Sequence, residues 1–124
     1  MARLTGLVTG YRRFRESAWA QQRERWSKLA EGQSPKVLVI ACSDSRVDPT
    51  RIFDTDPGEL FIVRNIAALV PPFEPDGGRH GVAAAVEFAV TQLEVEEILV
   101  LGHGQCAGCA AALSRRFAGT IPGD

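Results

Sequence analysis

The sequence predicts an α/β domain built on a parallel sheet in strand order 2-1-3, flanked by helices and preceded by a helical arm. Three observations predict it. From Lys36 onward, short apolar runs alternate with stretches of helical spacing, the signature of right-handed crossovers between parallel strands. Two of those runs, residues 37–41 and 98–101, end abruptly in chemistry-bearing residues: Cys42-Ser43-Asp44-Ser45-Arg46 and Gly102-His103-Gly104-Gln105-Cys106. Ligands of open parallel sheets bind beyond the carboxyl ends of the strands, where strand order reverses. In order 2-1-3 that point lies between the first and third strands, whose tips carry these residues.

The elements follow in chain order. Tyr11, Phe14 and Ala18 fall at i, i+3 and i+7, and Trp26 and Leu29 at i and i+3, so residues 9–30 read as one or two amphipathic helices. Gly32 is a helix stop, and Ser34-Pro35 prevents continuation. Residues 36–41 have the length and β-branched content of a strand buried on both faces. Asp48-Pro49-Thr50 opens a short helix, with Asp48 as N-cap and Pro49 at the first helical position. Asp56-Pro57-Gly58 is a turn before a second buried strand, residues 59–63, with Arg64-Asn65 at its tip. Pro71, Pro72, Pro75, Gly77 and Gly78 make 70–79 an irregular loop. Val82, Ala85, Val86, Ala89, Val90 and Leu93 keep helical spacing over 81–93. A third strand spans 97–101. The run after Cys106 is a helix, with Arg115 and Arg116 near its C-terminal end, where cations suit the dipole. Residues 119–124 form a tail with no element.

With 124 residues, 45% hydrophobic and 23% charged, the composition is that of one soluble globular domain. No apolar run approaches the roughly 18 residues of a membrane span, and the N-terminus lacks the apolar core of a secretory signal. Three cysteines, an odd number, argue against a disulfide framework and for a reducing compartment. The expected location is the cytoplasm, without a membrane partner. A net charge of −1 points to no nucleic acid or other polyanion. The charge is uneven: seven Lys/Arg face two Glu up to residue 30, and seven face thirteen acids thereafter. The basic stretch is a solvated helix face or an arm that docks on the acidic body of a second subunit.

Cys42 at one strand tip, with His103 and Cys106 at the next, makes a three-ligand set of the soft type that zinc favours, leaving a fourth position for water. Each alone is weak: a single Cys is commonly an inert small hydrophobe. Three cysteines cannot close a structural tetrathiolate. Asp44 and Arg46 can pair as an ordinary loop salt bridge of little worth. Alternatively, Arg46 holds a carboxylate that orients a metal-bound hydroxide, or Asp44 becomes a fourth ligand when Arg46 releases it. Arg46 follows Cys42 by four residues, which excludes a phosphatase-type C-x5-R loop. Cys106-x-x-Cys109 shares its spacing with thiol oxidoreductases, but Cys106 already serves the metal set, so Cys109 is expected to be a small buried side chain. His80 is expected to be exposed and structural, with proton relay as the alternative.

These segments resemble the successive motifs of the β-class carbonic anhydrases. The resemblance covers about residues 33–113 and rests on Cys42-Ser43-Asp44-Ser45-Arg46, on Pro57-Gly58-Glu59-Leu60-Phe61 with Arg64-Asn65-Ile66-Ala67, and on Gly102-His103-Gly104-Gln105-Cys106. It implies one Zn2+ per chain on Cys42, His103 and Cys106, with Asp44 a fourth ligand only in a closed form. It implies reversible hydration of carbon dioxide to bicarbonate and a proton by zinc-bound hydroxide, oriented by the Asp44–Arg46 dyad. Ile66 and Ala67 are placed at an apolar substrate pocket. The resemblance further implies homodimers or higher multiples, with N-terminal helices embracing the partner. The expected layout is one domain over 1–124, with the arm at 1–32 and the sheet and zinc site at 33–118.

Two departures stand out. Asp56 occupies the position before Pro-Gly-Glu where plant-type members carry Gln, and is counted with the substrate pocket. Family members also continue into a fourth parallel strand, so the chain reads as the N-terminal two thirds of the usual catalytic domain, with its fourth strand missing. That leaves an alternative: a non-catalytic zinc-binding α/β module with a structural or assembly role. Hydrolysis of other small linear molecules, such as carbon disulfide or carbonyl sulfide, is a further alternative on the same scaffold.

Overall fold

A computed structural model describes residues 3–114. The chain divides into two compact units, with the boundary between Gln33 and Ser34.

The first unit is helical throughout: α1 (Leu4–Glu16), α2 (Ala18–Gln21) and α3 (Arg23–Leu29). The helical region therefore starts five residues earlier than the apolar spacing predicts and is broken into three. The break at Ser17 has a local cause. Its hydroxyl donates to the Arg13 carbonyl at 2.6 Å and its backbone leaves the helical region, with φ −119° and ψ −88°, the competition with main-chain bonding that serine commonly offers. Phe14 meets Trp26 edge-on at 5.9 Å and Tyr11 at 6.1 Å, while the Arg15 guanidinium sits 4.0 Å over the Trp19 ring. None of the three helices buries a residue. Leu4, Leu7, Val8 and Tyr11 leave α1 with an open apolar face.

The second unit is a three-stranded parallel sheet of β1 (Val37–Cys42), β2 (Leu60–Asn65) and β3 (Glu97–Leu101). Its order is β2-β1-β3, as the sequence predicts. The central strand β1 is the core: Leu38, Val39, Ile40 and Ala41 are all 0–1% exposed. Around Leu38, Ile40 and Ala89 pack Phe61, Val63, Val86 and Val95. The helix α5 (Gly81–Thr91) supplies part of that cover, and Phe88 stacks on Phe61 of β2 at 5.8 Å. It ends two residues before Leu93, and Glu94 then takes a left-handed turn at φ 53° that leads into β3.

Among the three strands, full burial is confined to β1, which has a strand on each side. The second strand, expected to be buried, is half-buried along its whole length. The third leaves Ile98, Leu99 and Val100 exposed, because among the described residues it has one strand neighbour and little cover. Asp48 caps α4 (Pro49–Ile52) as expected, accepting the Thr50 N–H at 3.1 Å with Pro49 in the first turn. The last described helix is α6 (Ala107–Ser114). Arg115, Arg116 and the tail 119–124 lie outside the described residues. Among those described, no helix is long and apolar enough to cross a membrane.

Candidate metal centre

The parallel register sets the site. Ala41 stands opposite Leu101, so the chain leaving β3 reaches His103 and Cys106 just beyond Cys42. The two sulfurs, Cys42 Sγ and Cys106 Sγ, are 3.9 Å apart. With a ring nitrogen of His103 they form a group whose donor atoms all lie within 4.8 Å of one another. Gln105, at φ 58°, supplies the tight turn that returns Cys106 to the centre. Cys106 then precedes α6, its carbonyl accepting the Ala110 N–H at 3.1 Å.

His103 carries the clearest chemical sign of a metal. Its Nδ1 lies 2.8 Å from the Gly104 carbonyl, which can only accept, so Nδ1 holds the proton and Nε2 the lone pair. Nε2 is buried and has no hydrogen-bond partner, in a side chain 6% exposed. Leaving such an atom unpaired costs about 1–3 kcal/mol, whereas a cation among two sulfurs and one imidazole nitrogen would satisfy it. The donor set fits zinc, with one position left over.

The electrostatics prepare the donors. Burial opposes ionisation of Cys42, but the Asp44 N–H, His103, the Ala67 N–H and Cys106 together outweigh it and lower its pKa from 9.0 to about 7. The Cys42 sulfur in turn raises the pKa of His103. The first shift favours the thiolate that a metal requires; the second favours an imidazolium proton that a metal would have to displace. Cys109 is pushed the other way, first by Cys106, and it is exposed. That corrects the expectation of a buried side chain: α6 is apolar all round, and its Cys109 face is left open.

Asp44 and Arg46 form a two-point clasp. Asp44 Oδ1 accepts the Arg46 Nε–H at 2.9 Å and its main-chain N–H at 2.8 Å, and Oδ2 accepts from Nη2 at 2.7 Å. Arg46 also donates to the Gln105 carbonyl at 3.2 Å, linking the two strand tips. Ser45–Val47 is a 3-10 turn that Asp44 caps, and this turn brings the two side chains together. Arg46 holds the Asp44 carboxyl far below the usual carboxylate range, by hydrogen bonding first and charge second. Asp44 Oδ2 lies 3.9 Å from His103 Nε2, at the edge of the donor group rather than within it.

Two contributors were not legible as such. Arg64, at the tip of β2, donates to the Cys42 carbonyl at 2.8 Å and to the Asp44 carbonyl at 2.6 Å. The Ala67 N–H, in the 3-10 turn Ile66–Ala68 at φ 74°, helps lower the Cys42 pKa. Asn65 pins that turn, donating to the Leu69 carbonyl at 2.8 Å and accepting the Leu69 N–H at 2.6 Å.

A cleft of about 460 Å3 opens beside the donors, lined by Cys42, Ser43, Asp44, Ile66, Gly108 and Ala111 among others. Ile66 is a wall of it, 65% exposed. Ala67 acts through its N–H rather than as a lining residue. Asp56 is not brought to this cleft. It lies in the turn before Leu60, the first residue of β2, whereas the donors lie beyond the other end of the strands, and the five steps from Leu60 to Asn65 span roughly 16 Å. A second donor group, Glu74, Asp76 and His80, lies at the irregular loop. There His80 is half-buried and pairs with Asp76 at 2.7 Å.

Residues 37–122 match the family model described as carbonic anhydrase. A carbonic anhydrase of Synechococcus elongatus is 41% identical over 107 residues, covering 86% of this chain and 39% of the relative. Among solved structures, the β-carbonic anhydrase CcaA superposes with a TM-score of 0.87 at 35% identity, over 96% of this chain and 53% of that one. One of two tetrameric β-carbonic anhydrases from Sordaria macrospora superposes with a TM-score of 0.78 at 37% identity, over 94% and 55%. The chain thus spans about two fifths of the curated relative's length and about half of each solved chain. Matched in sequence across its sheet, and in fold across nearly all of its length, the chain belongs to the β-class carbonic anhydrase family.

Proposed function

We propose that this chain carries a zinc centre on Cys42, His103 and Cys106 and acts in the reversible hydration of carbon dioxide to bicarbonate. The observation that carries the reading is the buried, unpartnered His103 Nε2 between two thiols, with an ionised carboxylate fixed beside it. Zinc held there would supply Lewis acidity, lowering the pKa of a bound water from about 15.7 to about 7.

The chain's own residues supply the rest. Asp44, ionised and clasped by Arg46, can only accept hydrogen bonds. A water at the centre must therefore turn a proton toward Asp44 and a lone pair toward the cleft. Ile66, Gly108 and Ala111 give that cleft an apolar wall, suited to an uncharged linear substrate that offers few hydrogen-bonding groups. Arg46 holds Asp44 by two side-chain hydrogen bonds; if released, Asp44 would be free to reach the position of a metal held by Cys42, His103 and Cys106.

Thiolate donors need a compartment that keeps Cys42 and Cys106 reduced, so we place the protein in the cytoplasm. The open apolar face of α1, on a basic helical stretch, supports an arm that packs on a second copy as a homodimer or a higher multiple. A second reading, zinc without catalysis in a structural module, is favoured by one observation: β3 leaves Ile98, Leu99 and Val100 exposed. Zinc content and carbon dioxide hydration, measured on the same sample of wild-type and Cys42→Ser protein, decide between them. Zinc near one per chain with hydration activity, both lost in Cys42→Ser, supports the enzyme. Zinc without activity supports the module, and full activity in Cys42→Ser refutes both.

A further inference from the structure

We propose that Arg64 is a positioning residue for this centre, holding the two carbonyls on either side of Ser43 and thereby setting where the Cys42 sulfur and the Asp44 carboxylate point. The inference rests on the zinc-site reading above and extends it to a residue in the neighbouring strand.

The ladder between β1 and β2 runs out at this point. Cys42 stands opposite Asn65, and the Ser43 N–H donates to the Asn65 carbonyl at 2.7 Å. Asp44 lies beyond that last bond, in a turn with no strand partner to fix it. Arg64, one residue back from Asn65 and opposite Ala41, takes over. Its Nε–H reaches the Cys42 carbonyl at 2.8 Å and its Nη2 the Asp44 carbonyl at 2.6 Å, so one planar fork spans three residues. Both bonds go to main-chain carbonyls, so the guanidinium acts here on backbone geometry.

Such a fork does what a flexible ammonium cannot, because its donors are fixed in one plane. Cys42 and Asp44 are the two residues whose side chains must be aimed, one at the metal position and one at the water beside it. Arg46 fixes the Asp44 carboxylate from its far end, and Arg64 fixes the backbone from which that side chain grows. A displacement of a donor by about 1 Å is enough to degrade a site of this kind. The two arginines thus divide the work.

The test uses the full chain as wild type, Arg64→Gln and Arg64→Lys. Zinc affinity is measured by chelator competition, the donor geometry by the absorption spectrum of the cobalt(II)-loaded protein, and kcat and KM at saturating zinc. Arg64→Lys keeps the charge and one donor, so it carries the test should Arg64→Gln fail to fold. The expected result is zinc affinity weakened about 10–100-fold, as for other residues that orient ligands. A shifted cobalt spectrum and a kcat reduced more than KM is raised should accompany it. A folded Arg64→Lys with wild-type zinc affinity and an unchanged cobalt spectrum overturns the proposal, whatever its melting temperature. Wild-type protein that binds cobalt but does not hydrate carbon dioxide overturns the catalytic reading alone, since affinity and spectrum still report on Arg64. Wild-type protein that binds neither metal overturns both.

Discussion

Gly108→Ala tests the packing behind the metal centre. A methyl group at Gly108 would lie 2.6 Å from Ile66 Cγ2, 2.9 Å from Ala67 Cβ and 3.0 Å from the Ala67 nitrogen. Carbon atoms rest comfortably at about 3.5–4.0 Å, so α6 or the 3-10 turn must yield by about 1 Å. Overpacking of this kind costs about 1–3 kcal/mol. For a chain of this size that is about 4 °C in Tm per kcal/mol, so a fall of about 4–12 °C is expected. The turn that moves is the one whose Ala67 N–H helps hold Cys42 as a thiolate. Zinc affinity should therefore fall too, about tenfold, the lower end of the range for lost ligand-orienting bonds. Calorimetry and chelator competition measure the two effects. Gly108→Ala with wild-type Tm and zinc affinity would refute the argument that the helix needs a glycine to seat against this turn.

Other outcomes follow from the same geometry. Cys42→Ser and His103→Ala should each lose zinc by more than the about 100-fold typical of outer partners, whereas Cys109→Ser, which removes an exposed thiol outside the donor group, should keep it; metal analysis after dialysis reads both. Asn65→Ala removes two bonds to the Leu69 main chain and should cost about 1–2 kcal/mol, measured by urea denaturation. At the irregular loop, the Gly78 N–H first and His80 second hold the Asp76 carboxyl below its usual range. The folded pKa is depressed, so this contribution is present above the unfolded value of about 3.9 and disappears as pH falls through the folded one. The protection factor of the Gly78 amide against hydrogen exchange should be flat from neutral pH to about 4 and drop below it.

The sheet and the donors were legible because their signals are local. A five-residue apolar run ending in Cys42, and another ending at His103, declare strand, tip and ligand type within a few positions, and the parallel crossover then brings them together. Asp48 with Pro49 announced its cap in the same way. Arg64 was visible only as a residue at a strand tip, because its partners are backbone carbonyls 20 and 22 residues away that leave no mark on composition. Ala67 was read as a pocket wall, since nothing in an alanine declares a positive φ. Asp56 was placed at the pocket by its position in a motif; within one chain it does not line the cleft and lies in the turn before β2, whose far end carries the site. The burial of β2 was overestimated because apolar content reports what a strand can bury and not what is there to cover it.

The two sulfurs of the centre are 64 residues apart in sequence, a consequence of the parallel crossover that separates β1 from β3. A metal gripping both closes a long loop in the unfolded chain. Treated as a covalent cross-link of that span, it would remove chain entropy worth about 4 kcal/mol at 25 °C. Zinc would then be a topological staple as well as a chemical centre. Chelation should loosen the association of the central strand with its third-strand neighbour, and refolding without metal must find that pairing by diffusion over a distant contact.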